Sequence, residues 1–222
     1  MTARINLQPI AAPSILGLYA FAGSTLILAA NMAGWYGTPD TALYLIPFTT
    51  VFGGIAQFAA GMWAYKARDA IATAMHGTWG SFWIGFGILQ LLIATGTIPP
   101  NEGSSFPALG FWSIALAWIT IMGTIAATAN NLALTLTLGT LSLASIFAAL
   151  ANLLGSSPGV GWEAAAGYTF IVSAICAWYT ASALMFEGAS GKAVLPVGMT
   201  GQAQQAPRVA PGEGEPGVAK GQ

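Results

Sequence analysis

The sequence predicts an all-α membrane protein: a bundle of six transmembrane helices with both termini on the cytoplasmic side. Three features lead there. Of 222 residues, 55% are hydrophobic and only 6% charged, with a mean hydropathy of +0.69. Soluble domains are roughly a quarter charged, and so few charges cannot cover an aqueous surface. The apolar residues also fall into six stretches, each long enough for the ~20-residue helix that crosses a hydrocarbon core about 30 Å thick. Finally, all six Lys and Arg and all seven Asp and Glu lie between or beyond those stretches.

Residues 1–14 read as a cytoplasmic N-terminal segment and 15–186 as the six-span domain. The first span, 15–35, exceeds the ~7–15-residue core of a secretory signal and is followed by others of equal length. The second, 42–63, sets Gly53, Gln57 and Gly61 on one face. In the third, 71–94, Gly77, Ser81 and Gly85 recur every four residues. Another face of that span carries His76, Gly80, Trp83, Gly87 and Gln90, with Trp79 beside it. The connection around 96–107 holds Pro99-Pro100-Asn101 and Gly103-Ser104-Ser105, which is turn chemistry.

The fourth and fifth spans, 111–129 and 132–154, are separated only by Asn130-Asn131, read as a tight turn between antiparallel neighbours. One bent helix is the rival reading. The fifth carries Ala144, Ala148 and Asn152 in a stripe, and 164–186 is the sixth. Small-residue stripes predict packing seams, because helices in lipid associate through close backbone approach and interhelical hydrogen bonds. Residues 187–222, rich in Gly, Pro, Gln and Ala, form a cytoplasmic tail expected to be largely disordered after about 199.

With six spans, Arg4, Lys66, Arg68, Lys192, Arg208 and Lys220 share one side, while the opposite loops carry Asp40, Glu102 and Glu163. Basic residues near span ends stay in the cytoplasm, which sets the orientation in a plasma membrane, the inner membrane of a bacterium. A net charge of −1 offers no nucleic-acid surface. Cys176, the single cysteine, allows neither an intrachain disulfide nor a cysteine-cluster metal site, and no cofactor or metal is expected. Catalysis needs placed acids, bases, nucleophiles or metals, so an enzyme is not expected either. His76 is the one ionisable polar side chain inside a span, a candidate proton site. Gln57, Thr78 and Asn152 are candidate neutral polar lining, able to replace part of a solute's hydration shell without a deep electrostatic well. These residues alone lead to a small-solute transporter or channel. A urea, amide or ammonia channel and a non-transporting scaffold or sensor stay open beside it.

Phe52-Gly53-Gly54-Ile55-Ala56-Gln57, then Ala60-Gly61, Tyr65-Lys66 and Gly80-Ser81-Phe82-Trp83, resemble the acetate uptake transporter family of bacterial acetate/succinate permeases and fungal acetate and ammonia-export proteins. Ala12-Pro13-Ser14-Ile15-Leu16-Gly17-Leu18 resembles a degraded form of its first-span element, and Val194-Leu195-Pro196-Val197-Gly198 its terminal motif. The resemblance implies six-helix protomers in a homo-hexamer, each with its own path for acetate or succinate, moving in a channel-like or proton-coupled manner. It implies an apolar constriction at Phe21, Trp79 and Leu141, with Trp79 in place of the family's tyrosine and so offering an indole N–H and a larger ring. The chain departs from the family pattern at Ala12, Ile15, Ala64 and His76, which puts the native solute in question.

Overall fold

The computed structural model describes residues 11–37, 41–101 and 103–200. Its elements are α1 (Pro13–Met32), α2 (Thr41–Phe48), a π-helical stretch (Thr49–Ala56), α3 (Gln57–Lys66), α4 (Ala70–Ala94), α5 (Pro107–Ala127), α6 (Leu132–Leu154) and α7 (Gly161–Ser190). α2, the π-helical stretch and α3 run on as one span, and six spans are long and apolar enough to cross a membrane. Arg4, Asp40, Glu102, Arg208, Glu213, Glu215 and Lys220, with the tail beyond 200, lie outside the described residues.

Local chemistry sets the helix starts. Pro13 and Pro107 stand in the first turns of α1 and α5, where a missing N–H costs nothing. Asp69 caps α4 by accepting from the Ala72 N–H at 2.9 Å, and Asn131 caps α6 by accepting from the Leu134 N–H at 2.8 Å. Asn131 is extended, with φ −159°, so α5 and α6 are two helices joined by a turn rather than one bent helix.

The π-helical stretch is absent from the sequence reading. Pro47 lies within α2 and cannot donate to the helix ladder, and, two residues on, the Thr49 hydroxyl donates to the Leu45 and Ile46 carbonyls at 3.2 and 3.3 Å. The wider turn that follows brings Gly53 and Gly54 against Ser24 of α1 and Ile84 of α4.

The spans close into a ring. α1 packs on α7, α7 on α6 and α6 on α5, while the π-helical stretch and α3 join α1 to α4; α4 and α5 meet more sparsely. A Cβ on Gly61 would fall 2.7 Å from the backbone nitrogen of Gly77, so the α3–α4 crossing needs a glycine there. Beyond the Gly77 backbone, the stripe of Gly77, Ser81 and Gly85 does not pack within the protomer. Ser81 and Gly85 are exposed, and a Cβ on Gly77 or Gly85 would meet nothing within 4 Å. Periodicity identifies a face but not what it faces. Ala144 and Ala148 do face the core. Interhelical hydrogen bonds add the Ser173 hydroxyl to the Thr137 carbonyl at 2.9 Å, Thr124 with Ser142 at 3.1 Å and Tyr19 with Ser182 at 2.9 Å, each worth about 0.6 kcal/mol by membrane-protein double-mutant cycles.

α7 continues to Ser190, beyond the expected 186. The segment after it folds back over the start of α6, where Leu132 and Ala133 N–H donate to the Gly198 and Val197 carbonyls at 2.9 and 3.0 Å. The Tyr179 hydroxyl holds the Pro196 carbonyl at 2.7 Å. The terminal motif thus satisfies donors that the first turn of a helix leaves unpaired.

Candidate functional site

Two of the cavities among the described residues meet at a common wall inside the ring. The one at the end bearing Lys66, Arg68 and Lys192, here the basic end, measures about 40 Å³ and is lined by Leu18, Phe21, Gln57, His76, Trp79 and Leu141 among others. The other, at the end bearing Glu163, measures about 250 Å³, with Thr25, Asn31, Gln90, Ser113 and Asn152 among its polar lining. A site of about 10–15 Å³ on this measure holds one water, so the first admits a few waters and the second a small hydrated solute. Trp79 is the one described residue common to both linings.

The wall between them is apolar and tightly held. Phe21, Trp79 and Leu141 are each no more than 3% exposed and belong to one buried cluster. The Trp79 ring meets Phe21, Phe82 and Phe170 edge-on at centroid distances of 6.1, 5.5 and 6.4 Å, each such pair worth about 0.5–1.5 kcal/mol. The indole N–H of Trp79 does not serve as a free donor: it is bound to the Thr120 hydroxyl of α5 at 3.1 Å. That bond fixes the ring's rotation.

His76 is buried and lines the basic-end cavity. A Cβ on Gly17 would fall 2.5 to 2.6 Å from three atoms of its imidazole, so the ring rests directly on the α1 backbone where only glycine fits. Gln57 lines the same cavity, and its buried side-chain oxygen has no hydrogen-bond partner. Asp69 lines it too, occupied as the α4 cap. Asn152 lines the larger cavity while its amide donates to the Ala148 carbonyl at 2.8 Å. Thr78, the remaining candidate, lines neither cavity, because its place on α4 turns it away from the face shared by His76, Trp79 and Trp83.

Several candidates were missed in the sequence, Asn31, Gln90 and Ser113 of the larger cavity among them. Thr120 is hidden because its partner lies on another helix. Thr25 and Trp83 line the larger cavity, and the Thr25 hydroxyl and Trp83 indole N–H are buried without a partner. Glu163 also lines that cavity; the available signal was a carboxylate immediately ahead of an apolar run. Among the described residues neither lining includes a Lys or Arg, so the arrangement offers neutral donors and acceptors, with the carboxylates of Asp69 and Glu163 at its two ends, around an apolar wall and no cationic well.

Comparison with known proteins agrees with this architecture. The succinate-acetate/proton symporter SatP of Escherichia coli strain K12 is 28% identical over 192 residues, covering 85% of this chain and 96% of that protein. The acetate transporter protein patA of Aspergillus clavatus is 28% identical over 192 residues, covering 82% and 76%. The structure of the bacterial acetate channel SatP superposes with a TM-score of 0.76 at 22% identity, over 86% of this chain and all of that one. The family model for GPR1/FUN34/yaaH proteins matches residues 2–199, and this chain, with its six spans closed around two cavities, belongs to that family.

Proposed function

We propose that this protein carries small carboxylates, the monocarboxylate acetate foremost and the dicarboxylate succinate beside it, across the membrane along the line joining the two cavities. The observation that carries the reading is the shared wall: two polar-lined cavities meet at one clamped apolar residue, Trp79, flanked by Phe21 and Leu141. The names of the SatP and patA relatives supply the substrate class. The solute sheds part of its water at the wall, and selectivity comes from size and dehydration.

A path without Lys or Arg among its described lining favours proton-accompanied passage over a bare anion, since charge inside a bilayer is costly. Gln57 suits a protonated acid, because its unpartnered oxygen accepts a hydrogen bond, and His76 gives a proton a resting place on the same cavity. The basic end is cytoplasmic by the distribution of Lys and Arg, in a plasma or bacterial inner membrane. The homo-hexamer is what the family resemblance implies.

The test is uptake of labelled acetate into liposomes holding the purified protein, with Leu141→Trp and empty liposomes as controls and labelled urea as the uncharged solute. Acetate uptake that collapses in a correctly assembled Leu141→Trp variant supports both solute and path. Urea uptake without acetate uptake overturns the substrate class. His76→Ala with an unchanged pH dependence of acetate uptake removes the proton role.

A further inference from the structure

We propose that Glu163 is the charge filter of this path: a specificity-determining carboxylate at the mouth opposite the basic end, which excludes anions while ionised and admits a weak acid when a proton accompanies it. The proposal deepens the transport reading and rests on it.

Glu163 lies in the first turn of α7, half-buried, with its side chain on the larger cavity. Its backbone N–H is taken by the Ser156 hydroxyl at 3.2 Å, while no hydrogen bond or ion pair among the described residues engages its carboxylate. Among the described residues the facing lining carries no ionisable group: Thr25 and Asn31 come from α1, Gln90 from α4, Ser113 from α5 and Asn152 from α6. The neighbouring phenols are engaged, Tyr36 donating to the Ile27 carbonyl at 2.6 Å and Tyr168 accepting from the Trp35 indole at 3.4 Å. Asp40 and Glu102, the other acidic residues of this side in the sequence, lie outside the described residues. Among the described lining, Glu163 therefore sets the charge of this cavity.

A carboxylate there opposes an anionic solute. Two unit charges about 6 Å apart at an effective dielectric near 20 repel enough to lower occupancy about 100-fold, and a dianion about 10,000-fold. Chloride brings no proton and is excluded. A weak acid either arrives neutral or supplies the proton that neutralises the carboxylate, and so passes. The neutral donors around the cavity, which alone would accept any small anion, gain a preference for weak acids.

Liposomes holding the full chain, wild type, Glu163→Gln or Glu163→Asp, are tested for labelled acetate and labelled chloride uptake at external pH of about 3.5 and about 8, below and above the ordinary glutamate value of about 4.3. The ratio of acetate uptake at the lower pH to that at the higher falls about tenfold in Glu163→Gln, chloride uptake rises at least about tenfold, and Glu163→Asp keeps both wild-type patterns. A correctly assembled Glu163→Gln variant with the wild-type ratio and wild-type chloride exclusion overturns the filter. Wild type that takes up no acetate, while chloride is admitted only by Glu163→Gln, overturns the carboxylate reading and leaves the filter standing.

Discussion

Replacing Thr120 by valine isolates the bond that orients the constriction. Thr120 is fully buried and accepts the Trp79 indole N–H at 3.1 Å, and valine keeps its shape while removing the acceptor. Orphaning a buried donor costs about 1–3 kcal/mol in soluble proteins, but the same kind of pair in a membrane averages about 0.6 and reaches about 1.7 kcal/mol. The expected loss is therefore about 1–1.5 kcal/mol. The second bond of Thr120, its hydroxyl to the Leu116 carbonyl at 2.7 Å, adds little, because that back-bond within a helix is not stabilising. The measurement is reversible unfolding in mixed micelles, run as a double-mutant cycle with Trp79→Phe, which removes the donor. A coupling of about 0.6–1.7 kcal/mol is expected. The reasoning fails if the two losses add to within about 0.3 kcal/mol, since the bond would then neither hold the ring nor define the wall. Released rotation of Trp79 should also raise uptake of acids larger than acetate in Thr120→Val.

Leu141→Ala removes a buried part of the wall at a stability cost of about 2–5 kcal/mol, and the butyrate-to-acetate uptake ratio rises; an unchanged ratio in assembled protein would place Leu141 off the path. Truncation after Lys192 strips the carbonyls that Leu132 and Ala133 N–H use and lowers stability by about 1–2 kcal/mol, the scale of a lost helix cap. Truncation after Thr200 keeps those carbonyls, so equal midpoints for the two truncations would show that the strap holds nothing. Gly61→Val forces a side chain onto the Gly77 backbone and costs about 1–3 kcal/mol by overpacking, whereas Gly85→Ala, with open space around it, stays within about 0.5 kcal/mol. Reversed ranks in thermal unfolding would restore the Gly85 stripe as an internal seam.

Much of the candidate site was legible along the chain. Phe21, Trp79 and Leu141 came from the family resemblance and meet in one buried cluster. His76 and Gln57 came from the cost of polar groups inside a bilayer, and both line one cavity. Thr78 came by the same argument and fails, because burial within a span does not say toward which neighbour a residue turns. The Gly77, Ser81 and Gly85 stripe fails as a seam within the protomer for the same reason, since four-residue spacing marks one helix face whether or not another helix covers it.

The sequence by itself determined the six spans and the turn between α5 and α6. Hydropathy and capping act over neighbouring residues: a charge costs too much in lipid whatever the fold, and Asn131 caps the residues that immediately follow it. Only the tertiary structure decided that the indole N–H of Trp79 binds Thr120, that Gly17 seats the His76 ring, that the strap at 194–200 caps α6 and that Glu163 looks into a cavity. Each of these joins residues from different helices or from opposite ends of the chain. Their energy depends on distance and direction in space, which no local pattern of residues encodes.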